Sequence, residues 1–330
     1  MHIPENFLSP ATCAVMAVAA VPVLAVAVKK VKDELPREKL PMLGIGAAFS
    51  FLMMMFNLPL PGGTTGHAVG GVLIAVLLGP YSACLSVSTA LIIQALLFGD
   101  GGILSLGANI FNIAFVMPFA GYAVYKLIRD RVKSDKGEFV GAAIGSWFGL
   151  NAAALVTAIE FGIQPAIAHD AAGLALYCPY PLSASIPAMM LPHMLVAGVV
   201  EALFTVFIFA YIRKASPGDI YAGATKRTPA LYILLAVLIL AVPLGLLAAG
   251  TAWGEWGAEE IAGVVSNGSA LGYVPAGMES GFSFETVMPD YTIAALPEVP
   301  GYILSALFGV AISVIVFRLI GGLAKNKQKA

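Results

Sequence analysis

The first two residues of this 330-residue chain carry the donors of a compact metal chelate. A free amine on Met1, the deprotonatable amide nitrogen of His2 and the imidazole Nδ1 of His2 would close a five-membered and a six-membered ring around one ion. Such a planar set of nitrogens suits nickel(II) or copper(II). Because a bulky second residue protects Met1 from removal, we expect Met1 to be the mature amino terminus. The pattern predicts a metal site that still lacks one in-plane donor.

His67 is the candidate for that fourth donor. It ends a glycine-rich run between the second and third apolar segments, Pro61-Gly62-Gly63-Thr64-Thr65-Gly66-His67. Glycines permit backbone conformations and close approaches that other residues do not, and short, interrupted apolar segments mark binding sites in transporters. The alternative is a flexible loop with a solvated histidine. Of the remaining histidines, His193 is expected to be an interior hydrogen-bonding residue and His169 a solvated loop residue.

The composition is that of a membrane protein. The chain is 59% hydrophobic and only 11% charged, whereas soluble domains carry about 25% charged residues. The net charge of −1 and the lack of a long basic tract argue against a nucleic-acid partner. The three cysteines form neither a disulfide framework nor a CxxC metal motif. No Lys or Arg precedes Lys29, so the first apolar run is unlike a secretory signal peptide.

The basic residues predict how the chain crosses the membrane. Apolar runs occur at about 7–28, 40–57, 68–98, 108–126, 139–160, 186–212, 229–250 and 300–320. The long run at 68–98 is interrupted at Gly79-Pro80, where helix is disfavoured. If that run is two helices, all 18 Lys and Arg residues fall on one side, as expected for cytoplasmic flanks. The prediction is nine spans in the cell membrane, with the N-terminus outside and the C-terminus cytoplasmic.

The same pattern divides the chain into an all-α membrane bundle and an appended hairpin. We expect a seven-helix bundle at 1–215, a cytoplasmic linker at 216–228, a two-helix hairpin at 229–320 and a basic tail at 321–330. The hairpin contains a predicted exterior loop at 251–299 with seven acids and no Lys or Arg. Its Gly, Ser and Pro content predicts a mobile or irregular loop rather than a packed domain.

Three stretches resemble the nickel and cobalt substrate-specific (S) components of energy-coupling factor (ECF) transporters. They are Met1-His2-Ile3-Pro4 followed by Phe7-Leu8-Ser9-Pro10, the run Gly62-Gly63-Thr64-Thr65-Gly66-His67, and Leu106-Gly107-Ala108-Asn109. The resemblance covers about residues 1–215. It implies a seven-helix component that binds metal from outside through the Met1 amine, the His2 amide and imidazole nitrogens, and His67.

Residues 225–325 resemble the small two-helix accessory component of the same transporters. Trp253-Gly254-Glu255-Trp256, just beyond the eighth span, resembles the start of its exterior loop. The Gly-Gly-Thr-Thr-Gly-His form of the histidine loop favours nickel, with cobalt as the alternative. The metal would be cargo, and no cofactor is expected.

The resemblance also implies partners. A transmembrane coupling (T) subunit and a pair of ATPase (A) subunits would complete the importer, in contact with membrane lipid. The chain has no Gly-x4-Gly-Lys-Ser/Thr phosphate loop, so ATP hydrolysis would belong to a separate subunit and the chain would not be an enzyme.

Two other functions compete with this one. A self-sufficient secondary transporter of metal ions is disfavoured because Glu201 is almost the only charged residue within the predicted spans, whereas ion-coupled carriers place carboxylates there. An intramembrane metalloenzyme is disfavoured because His-Glu-x-x-His is missing. A site filled by four nitrogens also leaves no position for a catalytic water.

Four polar residues are candidates for orienting the metal ligands. Asn109 and Asn112, near the start of the fifth span, could hydrogen-bond His2 or the His67 loop or instead join helices to one another. Thr64 and Thr65 precede His67 and are candidates for the same role. Glu201 has three open roles, which are metal contact, contact with a partner subunit, and pairing within the bundle. Asp100 is expected to belong to a turn first and to the pocket mouth second.

Overall fold

The computed structural model describes residues 1–36, 39–61, 64–215, 229–248, 250–266 and 269–326. The predicted linker at 216–228, Gly62, Gly63 and the last four residues of the predicted basic tail lie outside the described residues. The described chain is mainly helical, which confirms the predicted all-α membrane fold.

Seven helices of the described chain are long and apolar enough to cross a membrane. They begin and end as follows: α1 Pro10–Glu34; α4 Pro80–Ile93, extended by a π-helical turn to Phe98; α5 Leu106–Asn109, continuous through a π-helical stretch with α6 Met117–Arg131; α7 Asp135–Ile167; α8 Leu182–Pro192, continuous with α9 Gly198–Ala215; α10 Pro229–Ala241, extended by a 3-10 turn to Leu247; and α13 Glu298–Asn326. Two of the nine predicted spans are shorter, namely α2 Leu40–Met54 and α3 Gly71–Leu78.

The predicted break at Gly79-Pro80 separates α3 from α4. Gly79 has a φ of 89°, and Pro80 occupies the first turn of α4, where its missing N–H costs nothing. However, α3 has only eight residues and rises about 12 Å, too little to cross a membrane alone. This agrees with the short, interrupted third helix that the sequence predicts. Residues 68–70 extend the crossing in a non-helical conformation.

That non-helical stretch is stabilised by partners inside the protein. Glu201 accepts hydrogen bonds from the backbone N–H of Val69 at 2.7 Å and of Gly70 at 3.0 Å, and Ser50 Oγ donates to Val69 O at 2.9 Å. Backbone groups at membrane depth need such internal partners because lipid offers none. Gly70 has a φ of 73°, and a Cβ there would lie 2.3 Å from the Phe49 ring. Glycine is therefore required at this position.

The appended hairpin packs on the bundle. Helix α13 lies along α2, while α7 contacts α6, α8 and α9. One continuous apolar core joins residues of both parts, including Phe51 of α2 and Tyr302 and Ala306 of α13.

The 251–299 loop is irregular but packed. It contains the short helices α11 Ala258–Ile261 and α12 Ala276–Glu279, the strand pair β3 Val265–Ser266 and β4 Ser269–Ala270, and a 3-10 turn at Pro289–Tyr291. Trp253 packs against Phe161 and Tyr180 of the bundle, and Ile261 is fully buried. The short elements agree with the predicted irregular structure. Aromatic and apolar side chains of the loop pack against the bundle.

Candidate metal centre

The first residues of the chain fold back into the bundle. Met1 is 4% exposed, His2 is 2% exposed and Ile3 is fully buried. The Asn109 side chain binds both polar groups of the Ile3 backbone, accepting from Ile3 N at 2.8 Å and donating to Ile3 O at 3.1 Å. Asn109 thus fixes the peptide that follows His2, although it does not contact the His2 ring by a hydrogen bond.

Residues 100–109 form a cradle for this segment. Gly102 N donates to Ile3 O at 2.9 Å, and Ser105 Oγ donates to the same oxygen at 2.6 Å. The Glu5 carboxylate accepts from the backbone N–H of Ile103 at 2.7 Å and of Leu104 at 3.2 Å. A Cβ on Gly102 would lie 2.7 Å from Glu5 Cα, so the close approach requires glycine. The backbone around His2 is held before any metal arrives.

The imidazoles of His2 and His67 lie stacked, with ring centroids 4.9 Å apart and an interplanar angle of 29°. His67 is 5% exposed, and its Nδ1 lies 3.1 Å from Ala68 O. Nε2 of His67 and both ring nitrogens of His2 are buried without a hydrogen-bond partner among the described residues. Buried polar atoms left unpaired are costly, so these nitrogens are suited to a ligand that binds them.

Two carboxylates face the atoms of the predicted chelate. Asp100 Oδ1 lies 2.8 Å from His2 Nδ1, without the alignment of a hydrogen bond, and Glu255 Oε1 accepts from the Met1 amine at 2.8 Å. Neither contact is identified from the sequence. The available signals were the glycines that flank Asp100 and the position of Glu255 between two tryptophans in a polar loop.

Burial keeps the His67 imidazole neutral. Desolvation lowers the pKa of His67 well below its ordinary value, and the neighbouring amino terminus and His2 lower it further. A neutral imidazole is the form that coordinates a metal. Protonation of His67 therefore competes with a metal only at pH values well below the ordinary histidine range.

A small hairpin presents His67 to His2. Strand β1 Asn57–Leu60 pairs antiparallel with β2 Thr64–His67, which places His67 opposite Asn57. Immediately after His67, the contacts of Glu201 with Val69 and Gly70 fix the chain. Of its three open roles, Glu201 thus pairs within the bundle, on the backbone of the metal-site loop.

Thr64 and Thr65 contact the appended hairpin. Thr64 Oγ1 donates to Thr251 O at 3.3 Å, and Thr65 Oγ1 donates to Gly250 O at 3.4 Å. These bonds join the His67 hairpin to the start of the 251–299 loop. Tyr291 of the same loop donates to Asp100, so the loop contacts both sides of the imidazole pair.

Asn112 lies away from the imidazole pair. Its amide donates to Glu160 Oε2 at 2.6 Å and to Thr157 Oγ1 at 3.1 Å, which joins the helix that follows α5 to α7. Glu160 is buried, so Glu201 is not alone as a carboxylate within the spans. The membrane helices thus hold two buried carboxylates of the kind that ion-coupled carriers use.

The other two histidines lie outside the pair. His193 is buried, with Nδ1 2.7 Å from Met189 O, and His169 is exposed beside Asp170. Across the described residues, no group of three or more His, Cys, Asp or Glu side chains is arranged to hold a metal ion.

The described chain is a helical membrane protein that buries a stacked pair of imidazoles. Residues 2–218 match the CbiM model, the cobalt uptake substrate-specific transmembrane region, and residues 227–326 match the PDGLE domain. The chain belongs to the CbiM family and carries a PDGLE domain after it. This confirms the resemblance found in the sequence to a metal-uptake component fused to a small accessory component.

Two relatives match this chain over almost its full length. The probable fused nickel transport protein LarMN of Lactiplantibacillus plantarum is 50% identical over 96% of this chain and 97% of its own length. The fused nickel transport protein NikMN of Rhodobacter capsulatus is 45% identical over 100% of both chains. A crystal structure of a truncated transition metal transporter, 54% identical, covers 65% of this chain and 99% of its own, with a TM-score of 0.62. The names of these relatives confirm the prediction that the chain is a transport protein and not an enzyme.

Proposed function

We propose that this chain is the substrate-binding membrane subunit of an ECF-type importer that captures nickel(II) from outside the cell, with cobalt(II) as the alternative cargo. The observation that carries the proposal is the joint burial of Met1, His2 and His67. Nε2 of His2 and Nε2 of His67 lack hydrogen-bond partners among the described residues, and His2 Nδ1 faces the Asp100 carboxylate. The Met1 amine, the His2 amide nitrogen, His2 Nδ1 and one ring nitrogen of His67 supply four donors. Nitrogen donors in one plane favour nickel over magnesium or calcium, which prefer oxygen.

Metal capture replaces existing contacts of these nitrogens. Without metal, the Met1 amine pairs with Glu255 and His2 Nδ1 faces Asp100. Binding releases protons from the amine and the amide, because only deprotonated nitrogens coordinate. Asp100 and Glu255 then remain as negative charges beside the bound cation, while the 251–299 loop covers the site and excludes water.

The remaining steps need other subunits. Since the chain has no phosphate loop for ATP, the energy for release comes from a separate ATPase pair through a transmembrane coupling subunit. The basic residues favour an orientation with Met1 outside and the C-terminus in the cytoplasm. Relatives described as fused nickel transport proteins support nickel as the cargo.

The test is metal analysis of the purified protein after two changes at the amino terminus. One extra residue before Met1 moves His2 to position 3 and alters the chelate, while acetylation removes the amine donor. We expect both changes to abolish nickel and cobalt retention and to leave the protein monodisperse in detergent. Unchanged retention after both changes would exclude the terminal amine as a ligand.

A self-sufficient carrier is the second candidate. The buried carboxylates Glu160 and Glu201 within α7 and α9 favour it, because ion-coupled carriers use such groups. Reconstitution of the purified chain alone in liposomes separates the two functions. Metal uptake driven by an ion gradient supports the carrier, whereas uptake that requires the ATPase and coupling subunits supports the importer.

A further inference from the structure

A cleft of about 620 Å³ opens at the end of the bundle opposite to Met1. The end of α1, the start of α2, the junction of α3 and α4, and the end of α6 surround it. Helix α1 runs from beside the metal centre to this cleft, and its 25 residues span about 37 Å. The volume is that of a ligand pocket, which typically measures about 300–1,000 Å³.

The charged residues in the cleft are unbalanced. Three lysines, Lys30, Lys39 and Lys126, line it together with a single acid, Glu34, which pairs with Lys30 at 2.9 Å. Lys39 is only 8% exposed. Within the described part of the chain, which omits neighbouring Glu38, no carboxylate pairs with the ammonium groups of Lys39 or Lys126. The described lining thus carries three positive charges and one negative charge, an excess that favours an anionic ligand.

One helix N-terminus faces the same space. Helix α4, 14 residues long, begins at Pro80, and Pro80, Tyr81 and Ser82 of its first turn line the cleft without a side-chain cap among the described residues. The first N–H groups of a helix have no partner within the helix, and together with its dipole they favour the binding of phosphate.

Part of the cleft lining is apolar. Leu35, Leu77 and Leu78 form this leucine wall, and an adjoining apolar cluster of the described residues contains Val31, Leu43 and Phe317. A free phosphate ion would use the lysines and the start of α4 but would make no use of the leucines. A phospholipid uses both, because its phosphate and its acyl chains are joined in one molecule.

We propose that this cleft is a binding site for the phosphate group of an anionic phospholipid, with Lys39 and Lys126 as its charge partners and the leucine wall as the contact for its acyl chains. Basic pockets between membrane helices are suited to anionic headgroups. The site lies at the other end of the bundle from the metal centre and does not depend on which metal is transported.

Native mass spectrometry of the full chain, with phosphatidylglycerol and phosphatidylcholine offered in equal amounts, tests the proposal. We expect wild-type protein to retain phosphatidylglycerol selectively and the double variant Lys39→Gln, Lys126→Gln to lose roughly tenfold or more of that retention. The double variant Lys39→Arg, Lys126→Arg keeps both charges and should keep the lipid. The matched control, Lys133→Gln with Lys214→Gln, removes two exposed lysines that do not line the cleft and should behave as wild type.

Three results overturn the proposal. One is equal retention of phosphatidylglycerol by the wild type and the glutamine variant, with both proteins monodisperse by size-exclusion chromatography. Another is an equal loss in the Lys133, Lys214 control. The third is stabilisation by millimolar inorganic phosphate without selective retention of either lipid, which would make the ligand a free anion.

Discussion

The N-terminal segment of residues 1–9 and the 251–299 loop meet over the same pair of imidazoles, but they are held in different ways. The segment is largely buried, and its backbone is bound at Ile3 by Asn109, Ser105 and Gly102. The loop is mostly exposed and contacts the metal centre through single polar groups, chiefly Glu255 and Tyr291.

This difference separates two tasks. A metal chelate needs donors fixed to within a fraction of an ångström, and a buried, multiply bonded backbone provides that precision. A cover must release and return as cargo enters, and elements that move have few buried contacts. We therefore assign binding to the segment and its cradle, and access to the loop.

Among the variants that test this division of tasks, His67→Ala should change nickel affinity most. Replacing His67 by alanine removes a ligand, so nickel affinity should fall by more than the roughly 10–100-fold that loss of an orienting partner costs. Isothermal titration of the purified protein measures the change. His169→Ala is the matched control, because His169 is exposed and its Nδ1 lies beside Asp170 O rather than beside His2 or His67. This substitution should leave nickel affinity unaltered. Equal losses in both variants would indicate general destabilisation in place of a defined site.

Deleting the loop should affect uptake more than binding. Removal of residues 253–298, with a short Gly/Ser linker between the flanking helices, leaves the segment and its cradle in place. It removes Glu255 and Tyr291, the contacts that close the site. We expect uptake by the complete importer to fall by about tenfold or more, since loss of a cover exposes the site to water.

Uptake assays in cells, with subunit assembly checked by co-purification, measure this effect. Normal uptake by an assembled complex would mean that the loop is dispensable. A loss of nickel affinity as large as that of His67→Ala would mean that the loop shares the task of binding.

Sequence patterns predict features that depend on neighbouring residues and miss contacts between residues far apart in the chain. The break at Gly79-Pro80 is predictable, because proline and glycine act on their own backbone. The non-helical conformation of residues 68–70 is not predictable, because hydropathy registers an apolar stretch whether it is helical or extended. Glu255 meets Met1 across 254 residues, and Tyr291 meets Asp100 across 191. Such pairs leave no periodic signal in a single sequence.

The pairing of His2 with His67 is predicted by chemistry. An incomplete square plane at residues 1 and 2 requires a further nitrogen, and few residues can supply one. The same reasoning does not distinguish Asn109 from Asn112, since both lie near the start of the fifth span and carry the same side chain. Only the fold determines that one meets Ile3 and the other meets Glu160.

These two asparagines give the third prediction. Asn109→Ala removes both side-chain hydrogen bonds to the Ile3 backbone and should weaken nickel binding by roughly 10–100-fold, as expected for a residue that orients ligands. Asn112→Ala deletes the same atoms three residues away and should mainly lower the thermal unfolding temperature. Titration and thermal unfolding on both variants separate the effects. A stronger loss of affinity in Asn112→Ala would place the orienting role in the helix contact instead.

The smallest effect is expected from Glu255→Gln. Without metal, the Glu255 carboxylate contacts the Met1 ammonium at 2.8 Å. In the proposed metal complex, the donors would carry about one net positive charge, because the deprotonated amide offsets one charge of the ion, and the amine itself would no longer be a charged ammonium beside Glu255. The carboxylate therefore stabilises the metal-free state slightly more. Glu255 is 22% exposed, so the difference is at most about 1 kcal/mol, and nickel affinity should rise no more than about fivefold.

Titration of Glu255→Gln beside Glu259→Gln isolates this contact. Both substitutions remove one negative charge from the same loop, so any long-range effect on the cation is common to the two. Only Glu255 touches the amine, and the difference between the variants reports that contact alone. A modest gain confined to Glu255→Gln agrees with a cover that competes with the metal for Met1. A loss of tenfold or more would instead make Glu255 part of the binding site, and the division of tasks between segment and loop would no longer hold.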